Sequence, residues 1–198
     1  MATRINMPLH LFNIAGGPGM DSLNALILLN KEHPQHLVGR KITIHLLDLD
    51  PSGPIFGARA LSALLAQASP LAGLDATFVF HDYDWSQPDQ LAEILACIPP
   101  GAVAAGSSEE GLFEYASDEE IVANLTVLHA CTPPDFIMVG PVIRDSSTLD
   151  PRLKMTEHVP NRPAVRYIGL EKFSLLAGRA GWRADQSLDG PMHQVVLL

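Results

Sequence analysis

Residues 9–29 read LHLFNIAGGPGMDSLNALILL. Leu9 to Ile14 is an apolar run of strand length, Gly16 to Gly19 is a turn, and an apolar-faced helix follows. Glycines leave no side chain in the way, so such a turn brings bare backbone close to a ligand at the carboxyl edge of a sheet. Strand-turn-helix units with glycines are common, and it is what comes next that gives this one its meaning. The following strand closes on Asp48 (ITIHLLDLD, 42–50) and the one after it on Asp82 (TFVFHDYDW, 77–85). A glycine turn and two acids, each ending a successive strand, is the pattern of a nucleoside-binding α/β sheet.

Working outward, strand and helix signals alternate, which predicts parallel pairing through right-handed crossovers. Strands are expected near 9–14, 42–47, 76–80, 102–106 and 136–140, and helices near 21–30, 55–68, 87–98, 118–131 and 169–180. Ser117 to Glu120 is a capping box, with Ile121, Leu125 and Leu128 following at helical spacing. Ser86 is placed at the start of the preceding helix, with Pro88 and Asp89 in its first turn. Gly181 ends the last helix as a left-handed cap. The stretches WRADQSL and MHQVVLL then read as two strands joined at Asp189-Gly190, a hairpin signal.

The chain has 198 residues, a length that suits one domain with a sizeable core. Its formal net charge of -9 excludes a general binder of phosphate backbones, which needs a basic face. Cys97 and Cys131 fall in expected helices and read as buried free thiols of a reducing compartment. The first apolar run is broken at His10 and Asn13, so it is no signal peptide, and no apolar stretch is long enough to span a bilayer. A soluble, cytoplasmic protein is expected. The histidines show no ligand spacing in sequence, so no metal site is expected. No Gly-x-Ser-x-Gly elbow and no Walker loop is present.

These residues resemble the class I S-adenosylmethionine-dependent methyltransferases. The family's first motif is an acid, a spacer and Gly-x-Gly-x-Gly; here the slot reads Asn13-Ile14-Ala15-Gly16-Gly17-Pro18-Gly19. Gly17 and Gly19 match, whereas Ala15 replaces the first glycine and Asn13 the acid, losing the charge that would orient the cofactor's ammonium group. Asp48 matches the family's acid that grips both ribose hydroxyls, with Leu49 beside it; a carboxylate accepts two hydrogen bonds at once. Asp82 matches the acid for the adenine amino group, with the Tyr83 amide for the ring nitrogen. The resemblance also implies a role for Ser107 and a single domain over 1–198. Its fold is a three-layer α/β/α sandwich on a mostly parallel seven-stranded sheet, order 3-2-1-4-5-7-6, with an antiparallel C-terminal hairpin. A dinucleotide fold is the rival reading. Pro18 removes an amide and Asp21 adds a carboxylate where a pyrophosphate wants donors and positive potential.

Ligands of open α/β sheets bind beyond the carboxyl ends of the strands. After the fourth strand, Gly106-Ser-Ser-Glu-Glu-Gly-Leu-Phe-Glu-Tyr115 is dense in polar groups. Glu109 is the first candidate for a general base or substrate anchor, Tyr115 the second and His81 the third. Glu109 or Glu110 as a helix cap is the plainer alternative. Trp85 and Tyr83 are candidates for stacking on the adenine or lining the acceptor pocket, or for the core. Arg144 is a candidate grip for a substrate anion, against a salt bridge with Asp145 or Asp150. Residues 141–168 form a long connection holding Arg144, Arg152, Lys154, Arg162 and Arg166, a candidate loop or lid. No extension before the first strand roofs the site, so a second copy or a partner subunit is a candidate cover.

Methyl transfer needs little acid-base help, because placing the nucleophile in line with the sulfonium methyl supplies much of the rate. The Asp/Asn-Pro-Pro-Tyr/Phe signature of nucleic-acid methyltransferases is absent after the fourth strand. A small-molecule acceptor is therefore expected, with no nucleic-acid or membrane partner. The alternatives are a non-methylating enzyme of the same fold and a non-catalytic subunit of a complex.

Overall fold

The computed structural model describes residues 7–109, 111–153 and 165–198. Among these residues, seven strands form one sheet: β1 (Leu9–Ile14), β2 (Lys41–Asp48), β3 (Asp75–Asp82), β4 (Val103–Ser107), β5 (Ile137–Ile143), β6 (Gln186–Asp189) and β7 (His193–Leu197). Their order is β3-β2-β1-β4-β5-β7-β6. The first five pair in parallel; β7 runs antiparallel to β5 and β6. Among the described residues, six α-helices accompany them: α1 (Met20–Glu32), α2 (Ser52–Leu65), α3 (Pro88–Leu95), α4 (Leu112–Tyr115), α5 (Asp118–Cys131) and α6 (Leu170–Arg179). This is the expected sandwich and strand order.

Side-chain alternation along β1 builds two cores. Leu9 and Leu11 face α1 and α2, where Leu23, Leu26 and Leu61 join Ile42 and Ile44 of β2. Phe12 and Ile14 face the other way, towards Leu91 and Leu95 of α3, Leu125 and Leu128 of α5, and Phe173 of α6. Each such leucine contributes about 2 kcal/mol through burial. Because α1 and α2 cover one face and α3, α5 and α6 the other, the winding reverses between β1 and β4. That reversal opens a crevice at the carboxyl ends of the strands.

Helix ends follow local chemistry. Ser117 caps α5, its Oγ accepting from the Glu120 amide at 3.2 Å while Glu120 accepts from the Ser117 amide at 2.7 Å. Gly181 has φ +90° behind α6, and the Trp182 amide reaches back to the Ala177 carbonyl. Two expected details differ. α3 begins at Pro88 with Gln87 before it, not at Ser86, because the Asp84 carboxylate accepts the Ser86 amide and holds 84–87 as a turn. Cys97 and Cys131 are exposed, not buried, since each lies at or just past the end of its helix, beyond the apolar stripe.

Of the 141–168 connection, Lys154 and Arg162 lie outside the described residues, as does Glu110. Arg166 donates to the Ala116 carbonyl and the Asp118 carboxylate. Among the described residues, no helix is long and apolar enough to cross a membrane.

Candidate functional site

The glycine turn is built from three left-handed residues: Ala15 at φ +56°, Gly17 at +50° and Gly19 at +68°. The Ala15 amide donates to the Leu47 carbonyl at 2.7 Å, and the Gly19 amide closes the turn on the Gly16 carbonyl at 2.9 Å. Alanine in this region costs about 1 kcal/mol, a strain the motif's usual glycine would not carry. Gly16 is required for a different reason. A Cβ there would lie 1.6 Å from Asn13 Oδ1, so Asn13 fills the space directly beneath the turn.

Asp48 at the end of β2 meets this turn. Its Oδ2 accepts the Gly17 amide at 3.0 Å, and its Oδ1 accepts the Asp50 amide at 3.0 Å. Each oxygen keeps a lone pair for a ligand hydroxyl. The start of α2 closes the other side, where a Cβ on Gly53 would stand 2.5 Å from the Gly17 carbonyl carbon. From β4, Gly111 crosses so close to Ala15 that its own Cβ would come within 2.4 Å of the Ala15 oxygen. Glu109 accepts the Asp21 amide at 3.2 Å, placing a carboxylate at the N-terminus of α1, where negative charge is favoured.

The resulting cleft has a volume of ≈ 640 Å³, within the range of small-ligand sites. Ala15, Gly16, Gly17, Pro18, Asp48 and Glu109 line it, with Asp50, Ser52, Gly53, Trp85, Gly111 and Tyr115. Three carboxylates and no basic side chain face it among the described residues. Hydrogen bonds from Ser52 hold the Asp50 carboxyl below the usual carboxylate range. A second, mainly apolar hollow of ≈ 620 Å³ lies beside α1, lined by Leu28, Ile137, Val139 and Ser107; Glu109 reaches it as well.

Several sequence candidates lie elsewhere. Asn13 is fully buried, and neither side-chain atom has a hydrogen-bond partner. Gly19 packs inward towards Leu46 and Phe78. Leu49 is 60% exposed, and Asp82 is exposed beside Asp48 in the β2–β3 register. The Tyr83 amide donates to the Asp48 carbonyl at 3.2 Å, so it is not open to an adenine nitrogen. The Tyr83 ring is core, its hydroxyl donates to Asn124 Oδ1, and burial pushes its pKa up. Arg144 joins the C-terminal hairpin instead of Asp145 or Asp150, donating to the Gly190 carbonyl at 2.9 Å and pairing with Asp189 at 3.2 Å. Gly53, missed in the sequence, carried a faint signal: a second glycine-proline stretch (PSGPIFG, 51–57) directly after Asp50.

His81 does not line the cleft. Its Nε2 lies 3.0 Å from His45 Nδ1, and His45 Nε2 lies 2.9 Å from His10 Nδ1. The three imidazoles climb diagonally across β1, β2 and β3 on the α3 side. Burial, then the neighbouring His81 and His10, lowers the His45 pKa to about 3, and burial lowers His81 and His10 too. Sequence spacing predicts no histidine cluster, but the pairing of β1, β2 and β3 brings these three together. His10, His45 and Cys97 bring three ligand atoms within 4.8 Å of one another, because strand register joins residues far apart in the chain.

No family model matches the sequence, and no curated protein does. Solved structures do. The mitomycin 7-O-methyltransferase MmcR aligns over 96% of this chain and 48% of its own, with TM-score 0.61 and 18% identity. A S-adenosylmethionine-dependent methyltransferase from Leishmania major aligns over 100% and 67%, with TM-score 0.60 and 12% identity. LepI, in complex with S-adenosylmethionine, aligns over 97% of this chain and 42% of its own, with TM-score 0.52 and 15% identity. The chain thus spans about half the length of MmcR and LepI. At these identities the likeness shows the fold, which is that of the class I S-adenosylmethionine-dependent methyltransferases.

Proposed function

We propose that this chain, with its class I methyltransferase fold, binds S-adenosylmethionine in the Asp48 cleft and methylates a small molecule. One observation carries the reading: among the described residues, the cleft between the glycine turn and Asp48 presents Asp48, Asp50 and Glu109 and no basic side chain. Such a lining attracts a cationic sulfonium and ammonium and repels a pyrophosphate. The residues therefore fit the cofactor that the fold implies better than a dinucleotide.

Asp48 would hold the ribose, its position fixed by the Gly17 and Asp50 amides. Trp85 would cover the nucleoside from the α3 side, held there by its carbonyl's bond to Asn124 Nδ2 at 2.8 Å. When bound, the cofactor supplies an electrophilic methyl group. Glu109 and Tyr115, the polar side chains that enter the cleft from the β4–α4 segment, would orient the acceptor. The Glu109 carboxylate would take the acceptor's proton. A small-molecule acceptor is supported by the charge of -9 and by the name of MmcR, a mitomycin methyltransferase.

The test is incubation with methyl-labelled S-adenosylmethionine and a panel of small hydroxylated, amino and thiol-bearing compounds. Label in one compound class, lost in Glu109→Gln, supports the reading. Cofactor binding without transfer to any compound would favour the alternative, a non-methylating or partner-dependent chain.

A further inference from the structure

We propose that His10 Nδ1, His45 Nε2 and Cys97 Sγ form a site for one borderline-soft divalent metal ion of the Zn²⁺ class, on the sheet face beneath α3. None of the three lines the cofactor cleft, so the proposal is independent of the methyltransferase reading.

Geometry carries it. All three ligand atoms lie within 4.8 Å of one another. His45 Nε2 is the common point, 2.9 Å from His10 Nδ1 and 3.8 Å from Cys97 Sγ. Bond lengths of about 2.0–2.1 Å to nitrogen and 2.3 Å to sulfur, at tetrahedral angles, ask for about 3.3 Å between nitrogens and about 3.6 Å between nitrogen and sulfur. The two contacts bracket these values, and a shift of a fraction of an ångström at His10 and at Cys97 satisfies both. Two imidazoles and a thiolate suit Zn²⁺ and exclude the hard cations that want oxygen.

The surroundings are those of a ligand set. The Phe12 ring stacks on His45 at 4.4 Å between centroids and 6° between planes, fixing the imidazole's orientation. An ion on His45 Nε2 requires the proton on Nδ1, and that N–H then donates to His81 Nε2 at 3.0 Å. An outer hydrogen bond of this kind is the usual companion of a metal-bound histidine. The ion takes the place of the proton between His10 and His45. The His10 proton moves to its Nε2, and the Cys97 thiol releases one proton. The Lys41 charge, which acts on His10, opposes a cation, and the new thiolate offsets it. Cys97 is exposed, so an ion and a solvent ligand reach the fourth position from outside. Once bound, the ion ties the end of α3 to β1 and β2.

The experiment is titration of the reduced, metal-stripped chain with Co²⁺, followed by displacement with Zn²⁺. The expected result is a thiolate-to-cobalt charge-transfer band saturating at one equivalent and abolished by Zn²⁺. Cys131→Ser keeps the band, and Cys97→Ser removes it and weakens Co²⁺ binding at least tenfold. S-adenosylhomocysteine titration of the same preparations reports whether each variant is folded and tests the cofactor reading separately. No band in the wild-type chain, or a band lost in Cys131→Ser and kept in Cys97→Ser, overturns the proposal and leaves a purely hydrogen-bonded histidine ladder.

Discussion

Asp48 Oδ2 accepts the Gly17 amide at 3.0 Å, so the acid that ends β2 also braces the glycine turn after β1. On the proposed function, ligand grip and turn geometry both rest on this one carboxylate. Asp48→Ala removes both, and Asp48→Asn keeps one carbonyl acceptor for the turn. Hydrogen bonds to a charged group contribute about 1.5–3 kcal/mol each. The alanine variant is expected to lose S-adenosylhomocysteine affinity by about a hundredfold, with a lower melting temperature. The asparagine variant should lose affinity with a smaller thermal shift. Calorimetry and thermal unfolding on the same samples separate the two roles.

Asn13 and Gly16 form a size-matched pair. Gly16→Ala drives a methyl group into Asn13 Oδ1 and is expected to destabilise by about 3 kcal/mol, the upper range for overpacking. Asn13→Ala empties that space and removes a buried amide that has no hydrogen-bond partner. The double variant should therefore be more stable than Gly16→Ala alone. Denaturant unfolding of the four proteins measures the coupling; additive effects would show that the two side chains do not compete.

Asn124 links the core to the cleft. Its Oδ1 accepts the Tyr83 hydroxyl, and its Nδ2 donates to the carbonyls of Trp85 and Glu120, both at 2.8 Å. Tyr83→Phe strands the buried Oδ1 and should cost about 1–3 kcal/mol. Asn124→Ala should cost at least as much and also weaken cofactor binding, since Trp85 loses its tether. Trp fluorescence quenching by S-adenosylhomocysteine reads that second effect.

Asp118 joins the start of α5 to Lys172 of α6 at 2.8 Å and to Arg166. Hydrogen bonds from Lys172 first, then Arg166, hold its carboxyl below the usual carboxylate value. A carboxyl whose pKa is depressed on folding adds stability above its unfolded value, about 3.9, that is lost as pH falls through the folded value. Asp118→Asn should be less stable than the wild type at neutral pH by about 1 kcal/mol, the scale of a solvent-screened pair. The gap should close as pH falls through the depressed folded value. Unfolding midpoints at neutral and at acid pH decide it.

Much of this fold was legible because its signals are local. The apolar run 9–14, the glycine turn, the Ser117 capping box and Gly181 each act within a few residues. The strand order followed from a resemblance carried by Asp48, Asp82 and the glycines. What escaped depends on strand register. His10 and His45 lie 35 residues apart, and only the β1–β2 pairing makes them neighbours. Arg144 reached Asp189 for the same reason, as β7 pairs antiparallel with both β5 and β6. Tyr83 reads as a site residue beside Asp82. Strand alternation turns it inward, and its amide is taken by Asp48.

On the proposed function, an acidic, glycine-turned cleft selects a cationic adenosyl cofactor. Calorimetric titration with S-adenosylmethionine, with NAD as the comparison, tests this selection. Micromolar binding of the first at one site per chain, and none of the second, is the predicted result. Binding of NAD, or of neither ligand, would contradict the claim.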